Sequence, residues 1–440
     1  MKIHPNEERL EELLRSSGSD HQTLIRHLIQ CETCRDRLLA LARVGGEDRG
    51  RPRSLDYGPA FEAAAKSLRH QALALACERE EAAGLLAELT AAPVEAREAF
   101  LREEAFQTWG LFELLVDRSW EASLEDPVLA GDLARLALRI GESLSPAQYR
   151  PELVEDLRAR AWIYLGNARR LTSDLSGAEA ALSNAAAHLA RGTGDPIELA
   201  ILLDREASLR RAQRRFADAQ DCITKAIGIF LRNGEKHRAG RSLVNLSLIH
   251  SYAGETAESI AVLTQALDLI DVREDPRTML CARHNLAGYL AEAGRYPEAL
   301  RLFRGTRALY RDFPDAWTQN RRHWLKGRID HGLGRPGPAE AALRAARDGF
   351  VAEGIPYDTA LVSLDLALLY AEQGRSTELK HLATEMLPLF ASRRIHREAL
   401  AALSFLQQAL AAEKATLDVV TRVAGYLRKA QHDPEMRWEG

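Results

Sequence analysis

Residues 288–310 read GYLAEAGRYPEALRLFRGTRALY. Gly294 interrupts an apolar-periodic run at the point where a helix needs a residue with positive φ to end. Tyr296 and Ala299 then open a second run, so the stretch predicts helix, tight turn, helix. The pattern extends outward in both directions. Gly254, Gly294, Gly334 and Gly374 are spaced by forty residues, and Arg295, Arg335 and Arg375 follow the last three. Five residues beyond each glycine stand Ser259, Ala299, Ala339 and Leu379, and the series continues back to Ala219 and Ala178. Small residues recur at the expected helix crossing, at Ser247, Ala287, Gly327 and Ala367, with Leu246, Leu286 and Leu366 beside three of them. One such hairpin cannot bury its own apolar stripe, so successive hairpins must stack.

The glycine, alanine and small-residue positions resemble the tetratricopeptide repeat. That family's period is about 34 residues, and the longer spacing here reads as longer helices. The resemblance implies an all-α fold, a right-handed α-solenoid of six repeats over 148–393, and a concave groove that binds protein. In the resembled family the position nine residues before each turn glycine faces that groove. Here it holds Arg205, Asn245, Asn285, Leu325 and Asp365. Nearby His250, His284, Tyr289, Arg321 and Tyr370 are further candidates; the competing interpretation is an ordinary solvated polar face.

Flanking segments are less regular. Residues 59–147 predict degenerate repeats with helices over 59–81, 94–107, 109–121 and 127–142. Phe61, Phe100, Phe106, Trp109, Phe112 and Trp120 supply core there. Residues 394–440 predict two helices that cap the last repeat. The Gly, Pro and charge cluster within 45–58 reads as a linker.

The first 44 residues form a separate module. His27-x3-Cys31-x2-Cys34 carries metal-ligand spacing, with His4 upstream. Residues four apart share a helix face, which groups His27 with Cys31. Pro5 suits a helix start, Leu10, Leu13 and Leu14 make a stripe, and Ser19-x-x-Gln22 reads as a capping box opening a second helix. Zinc takes four nitrogen or sulfur ligands, and an antiparallel helix pair brings His4 to the set; His21 is the rival fourth ligand. So small a module buries little core, and a metal supplies the missing stability. These residues resemble the zinc-binding anti-sigma factor domain. The resemblance implies that His27, Cys31, Cys34 and His4 hold zinc and that the module grips a bacterial sigma factor. A histidine in the upstream place removes the thiol that an oxidation switch there needs.

Composition narrows the rest. The chain has 440 residues, 46% of them hydrophobic, and a net charge of −4, which gives no basic field for nucleic acid. Five cysteines, two of them paired in the motif and Cys77, Cys222 and Cys281 scattered, make no disulfide framework. No apolar run is long enough to span a membrane, and the N-terminus lacks a signal-peptide pattern, so a cytoplasmic protein is expected. Gly332-x-Gly334-x-x-Gly337 matches a dinucleotide fingerprint only as text, since no strand precedes it and Pro336 and Pro338 interrupt it. Four protein ligands leave zinc no position for a catalytic water. The sequence therefore predicts a non-enzymatic regulator that contacts a sigma factor or other transcription partner through zinc and a second protein through the groove. The alternative is a repeat adaptor in which zinc is only structural.

Overall fold

The computed structural model describes residues 4–6, 8–10, 24, 27, 28, 31–44, 58–123, 126–145, 148–391, 417–430 and 438. The chain divides into two compact units, 1–75 and 76–440. Secondary structure is all helical among the described residues.

In the first unit Asn6, one residue past Pro5, starts a helical segment: its Oδ1 accepts from Arg9 N at 3.3 Å and its carbonyl from Leu10 N. Residues 27 and 28 are helical, Cys31 is not, and helix α1 runs Glu32–Val44. His27 and Cys34 thus lie on two successive helical segments, with Cys31 at the break and its carbonyl accepting from Arg35 N. Leu10, Leu28 and Cys34 are buried together, with Leu24, Cys31, Leu38 and Leu41 packed around them. The capping box at Ser19 and the rival ligand His21 lie outside the described residues, as does the linker up to residue 57.

Helix α2 (Gly58–Ala91) runs ten residues past its expected end and crosses into the second unit. Then come α3 (Val94–Phe100), a 3-10 turn at Glu104–Phe106, α4 (Trp109–Ala122) and α5 (Pro127–Ser143). Phe106, Leu111, Phe112 and Leu115 build the core of this part.

Six helical hairpins follow: α6 (Pro151–Leu171) with α7 (Leu175–Leu189), α8 (Pro196–Ala212) with α9 (Phe216–Arg232), and α10 (Lys236–Ala253) with α11 (Thr256–Leu269). Next are α12 (Pro276–Glu292) with α13 (Tyr296–Gly305) and α14 (Arg307–Asp312), α15 (Ala316–Gly332) with α16 (Pro336–Ala352), and α17 (Pro356–Glu372) with α18 (Ser376–Ala391). Their local chemistry repeats. Asp195, Asp275 and Asp315 cap first helices by accepting from backbone N–H groups at 2.8–2.9 Å, and proline fills the first turn of most of them, where its missing N–H costs nothing.

The turn within each hairpin is left-handed. Gly254, Gly294, Gly334 and Gly374 have φ of 68–84°. Ser173 (φ 67°) and Arg214 (φ 62°) occupy the same place in the first two hairpins. In all six, the next residue's N–H returns to the carbonyl five residues earlier, as Arg295 N does to Leu290 O at 2.8 Å. A second glycine series, Gly194, Gly234 and Gly354, turns the chain between hairpins, also at positive φ.

The crossing positions are tight. Ser247, Ala287 and Ala367 are buried, and a Cβ on Gly327 would sit 2.6 Å from Leu343 Cγ. Ser259 Oγ bridges the crossing to Ser247 O at 3.0 Å. The fourth hairpin departs from the pattern. Its second helix breaks at buried Thr306, whose hydroxyl donates to Leu302 O at 2.8 Å, a local bond that competes with regular helix. Helix α19 (Leu417–Ala430) lays Val420, Val423, Ala424 and Tyr426 into the core formed by α16 and α17. The first of the two helices expected over 394–440 lies outside the described residues.

The described residues of the second unit thus form a right-handed tetratricopeptide-like α-solenoid. No described helix is long and apolar enough to cross a membrane.

Candidate functional site

In the first unit, His4, His27, Cys31 and Cys34 each bring one ligand atom to a common point, all within 4.8 Å of one another. His4 Nδ1 lies 3.2 Å from Cys34 Sγ and 3.5 Å from Cys31 Sγ, and His27 Nε2 lies 3.3 Å from Cys34 Sγ. In a tetrahedron with metal–sulfur bonds of about 2.3 Å and metal–nitrogen bonds of about 2.0–2.1 Å, neighbouring donors stand about 3.6 Å apart. These three nitrogen–sulfur edges fall slightly below that figure. The imidazoles meet edge to face, 5.7 Å between centroids, so each points one nitrogen inward without stacking. Desolvation raises the Cys34 thiol above its ordinary range, and adjacent Cys31 raises it further. Two thiols this close hold negative charge together only around a cation.

In the second unit, the first helices of successive hairpins line two cavities. The larger, about 1010 Å³, is bordered by Tyr252, Glu292, Arg328, His331, Asp365 and Arg428 among others. Its charges are matched: Asp365 accepts from Trp324 Nε1 at 2.6 Å and pairs with Arg428, Arg328 meets Glu292 at 3.3 Å, and His331 meets Glu372 at 2.7 Å. The smaller, about 470 Å³, is bordered by Trp120, Arg160, Arg170, Arg205, Arg211, Arg241 and Asn245 among others.

The expected groove residues divide accordingly. Arg205 and Asn245 line the smaller cavity and Asp365 the larger. Arg205 stacks over Trp120 at 4.6 Å and pairs with Asp204 at 3.3 Å. Asn245 Nδ2 donates to Ser208 Oγ at 2.9 Å. Asn285 is half-buried and lines neither cavity, and His250 is held by Glu255 at 2.6 Å. Tyr289 is buried in the core, its phenol pushed up to about 12 chiefly by that burial. Leu325 belongs to the same core. His284 donates to or accepts from Tyr310 Oη at 2.7 Å, and desolvation, aided by Arg321 and Arg328, drives its imidazole down to about 3. Tyr370 is buried, with Arg375 over its ring at 4.4 Å. Sequence reasoning missed Arg160, Arg170, Arg211 and Arg241. A scan of the turn of helix on either side of the expected groove positions finds Arg160 and Arg241, whereas Arg170 and Arg211 lie nearly two turns beyond them.

No known family's sequence profile matches the chain, and no curated protein matches it. Solved structures do. The chain is similar to a Rap protein complexed with competence and sporulation factor, at 14% identity over 73% of this chain and 87% of that one, with TM-score 0.55. It is also similar to the apo form of RapI (12% identity, 73% and 87% covered, TM-score 0.53). A third is the apo form of the quorum sensor NprR from B. thuringiensis (14% identity, 73% and 92% covered, TM-score 0.52). At these identities the likeness is one of helical-repeat fold.

Proposed function

We propose that the protein is a non-enzymatic regulator whose first unit holds Zn2+ through His4, His27, Cys31 and Cys34 and docks on a sigma factor or other transcription protein. Its repeat groove takes a second protein or peptide. The observation that carries the metal is the convergence of two imidazole nitrogens and two sulfurs within 4.8 Å. Zinc is favoured over harder cations because the donors are nitrogen and sulfur, with no carboxylate in the set. Zinc supplies a structural crosslink there: with four protein donors it keeps no open position for water. The groove reading is supported by the two cavities along the first helices and by the fold shared with a Rap protein that was crystallised with competence and sporulation factor. The sigma factor comes from the resemblance of the His-x3-Cys-x2-Cys motif.

The test is capture from the source cell's lysate by the zinc-loaded chain and by a chain lacking residues 1–50. A sigma regulator loses its transcription partner with the deletion. An adaptor that uses zinc only structurally keeps its partner, and that result would replace the sigma reading.

A further inference from the structure

Six arginines border the smaller cavity, Arg160, Arg170, Arg205, Arg211, Arg238 and Arg241, against three carboxylates, Asp117, Asp204 and Glu274. Arg160 pairs with buried Glu198, Arg205 with Asp204 at 3.3 Å, and Arg241 with Asp275 at 3.7 Å. Arg170 and Arg211 have no carboxylate within ion-pair distance among the described residues. Arg170 donates to Asn167 Oδ1 at 2.9 Å, and Arg211 lies over the Tyr252 ring at 5.0 Å. The Nε atoms of Arg205 and Arg211 are buried without a hydrogen-bond partner. Burial and the repulsion of Arg211 and Arg205 bring the Arg170 guanidinium down to about 10, and burial and Arg205 lower Arg241 as well. A half-buried guanidinium without a carboxylate keeps part of its desolvation cost; Arg170 and Arg211, two such groups bordering one cavity, are complementary to an anion.

We infer that this end of the groove, at Arg170, Arg205 and Arg211, receives the carboxylates of an acidic peptide segment. The inference rests on the groove reading above and adds the partner's chemistry. Trp120, Tyr164, Phe230 and Leu248 give the same cavity apolar walls, suited to side chains beside the carboxylates. The other cavity presents Glu292, Asp365 and Glu372, already matched by cations. The apolar walls beside the arginines favour a peptide, with side chains next to its carboxylates, over a uniform polyanion such as nucleic acid.

The probes are the labelled pentapeptides Ala-Leu-Ala-Glu-Glu and amidated Ala-Leu-Ala-Lys-Lys, with the full-length chain in 50 mM salt. The wild type is expected to bind the first at least tenfold more tightly than the second. Arg170→Gln with Arg211→Gln is expected to remove that preference, and Arg118→Gln, an exposed residue paired with Glu121, to keep it. The ligand-free double variant is expected to melt at or above the wild-type temperature, since it loses mutually repelling charges. No preference in the wild type, equal preference in the double variant, or a lower melting temperature of that variant overturns the inference. Undiminished capture by the double variant of a cellular protein that the chain lacking residues 1–50 also captures overturns it too, while leaving the groove's protein-binding role in place.

Discussion

Substituting Gly327 tests the close approach on which each hairpin depends. A methyl group at Gly327 would meet Leu343 Cγ at 2.6 Å, Cδ2 at 2.7 Å and the backbone N at 3.2 Å. Carbon atoms pack at about 3.5–4.0 Å, so α15 and α16 must separate by nearly an ångström. Leu343 is fully buried. Such overpacking costs about 1–3 kcal/mol. Helix propensity opposes it, because Gly→Ala in a helix interior gains about 0.5–1 kcal/mol. Gly288 supplies the control: it is also within a first helix, and a Cβ there meets nothing within 4 Å. The propensity gain cancels between the two variants. Gly327→Ala is therefore expected to be less stable than Gly288→Ala by about 1–3 kcal/mol, read from urea unfolding followed by circular dichroism. Equal stabilities would refute the close crossing and the packing argument built on the small-residue series.

Two further outcomes follow from single residues. The imidazole of His284 sits at about 3 when folded and near 6.5 when unfolded, so the unfolded chain binds the extra proton first. Its contribution to stability is present above about pH 6.5 and is lost as pH falls towards 3, amounting to about 2 kcal/mol by pH 5. Unfolding at pH 7 and pH 5 should show that loss in the wild type and a smaller one in His284→Gln. Ser173 holds φ at 67° where later hairpins use glycine; Ser173→Gly is expected to raise stability by about 1 kcal/mol, checked by its denaturation midpoint.

The repeat was legible because its signals are local. A turn glycine, a small residue at the crossing and an apolar stripe recur within each forty-residue unit, and the structure keeps all three at Gly294, Ala287 and Leu286. The turns at Ser173 and Arg214 carried no such signal, since nothing in either residue type announces positive φ. The second glycine series at Gly194, Gly234 and Gly354 was present in the sequence but was hidden behind the stronger one. What could not be read from single positions was the pairing between neighbouring units. Asn245 with Asp204, Trp324 with Asp365 and His331 with Glu372 are each 41 residues apart, one repeat plus one. Their partners decide whether a polar group is free for a ligand or already satisfied, as Asp365 is. In the first unit the ligand types and spacing identified the candidate metal set. The break at Cys31 was not visible, because the four-residue spacing of His27 and Cys31 reads equally well as one continuous helix.

The most direct test of the account is the metal content of the purified full-length chain, measured by inductively coupled plasma mass spectrometry beside Cys31→Ser with Cys34→Ser. One zinc per wild-type chain and none in the double variant is the predicted result. A metal-free wild type, or a double variant that keeps its zinc, would contradict it.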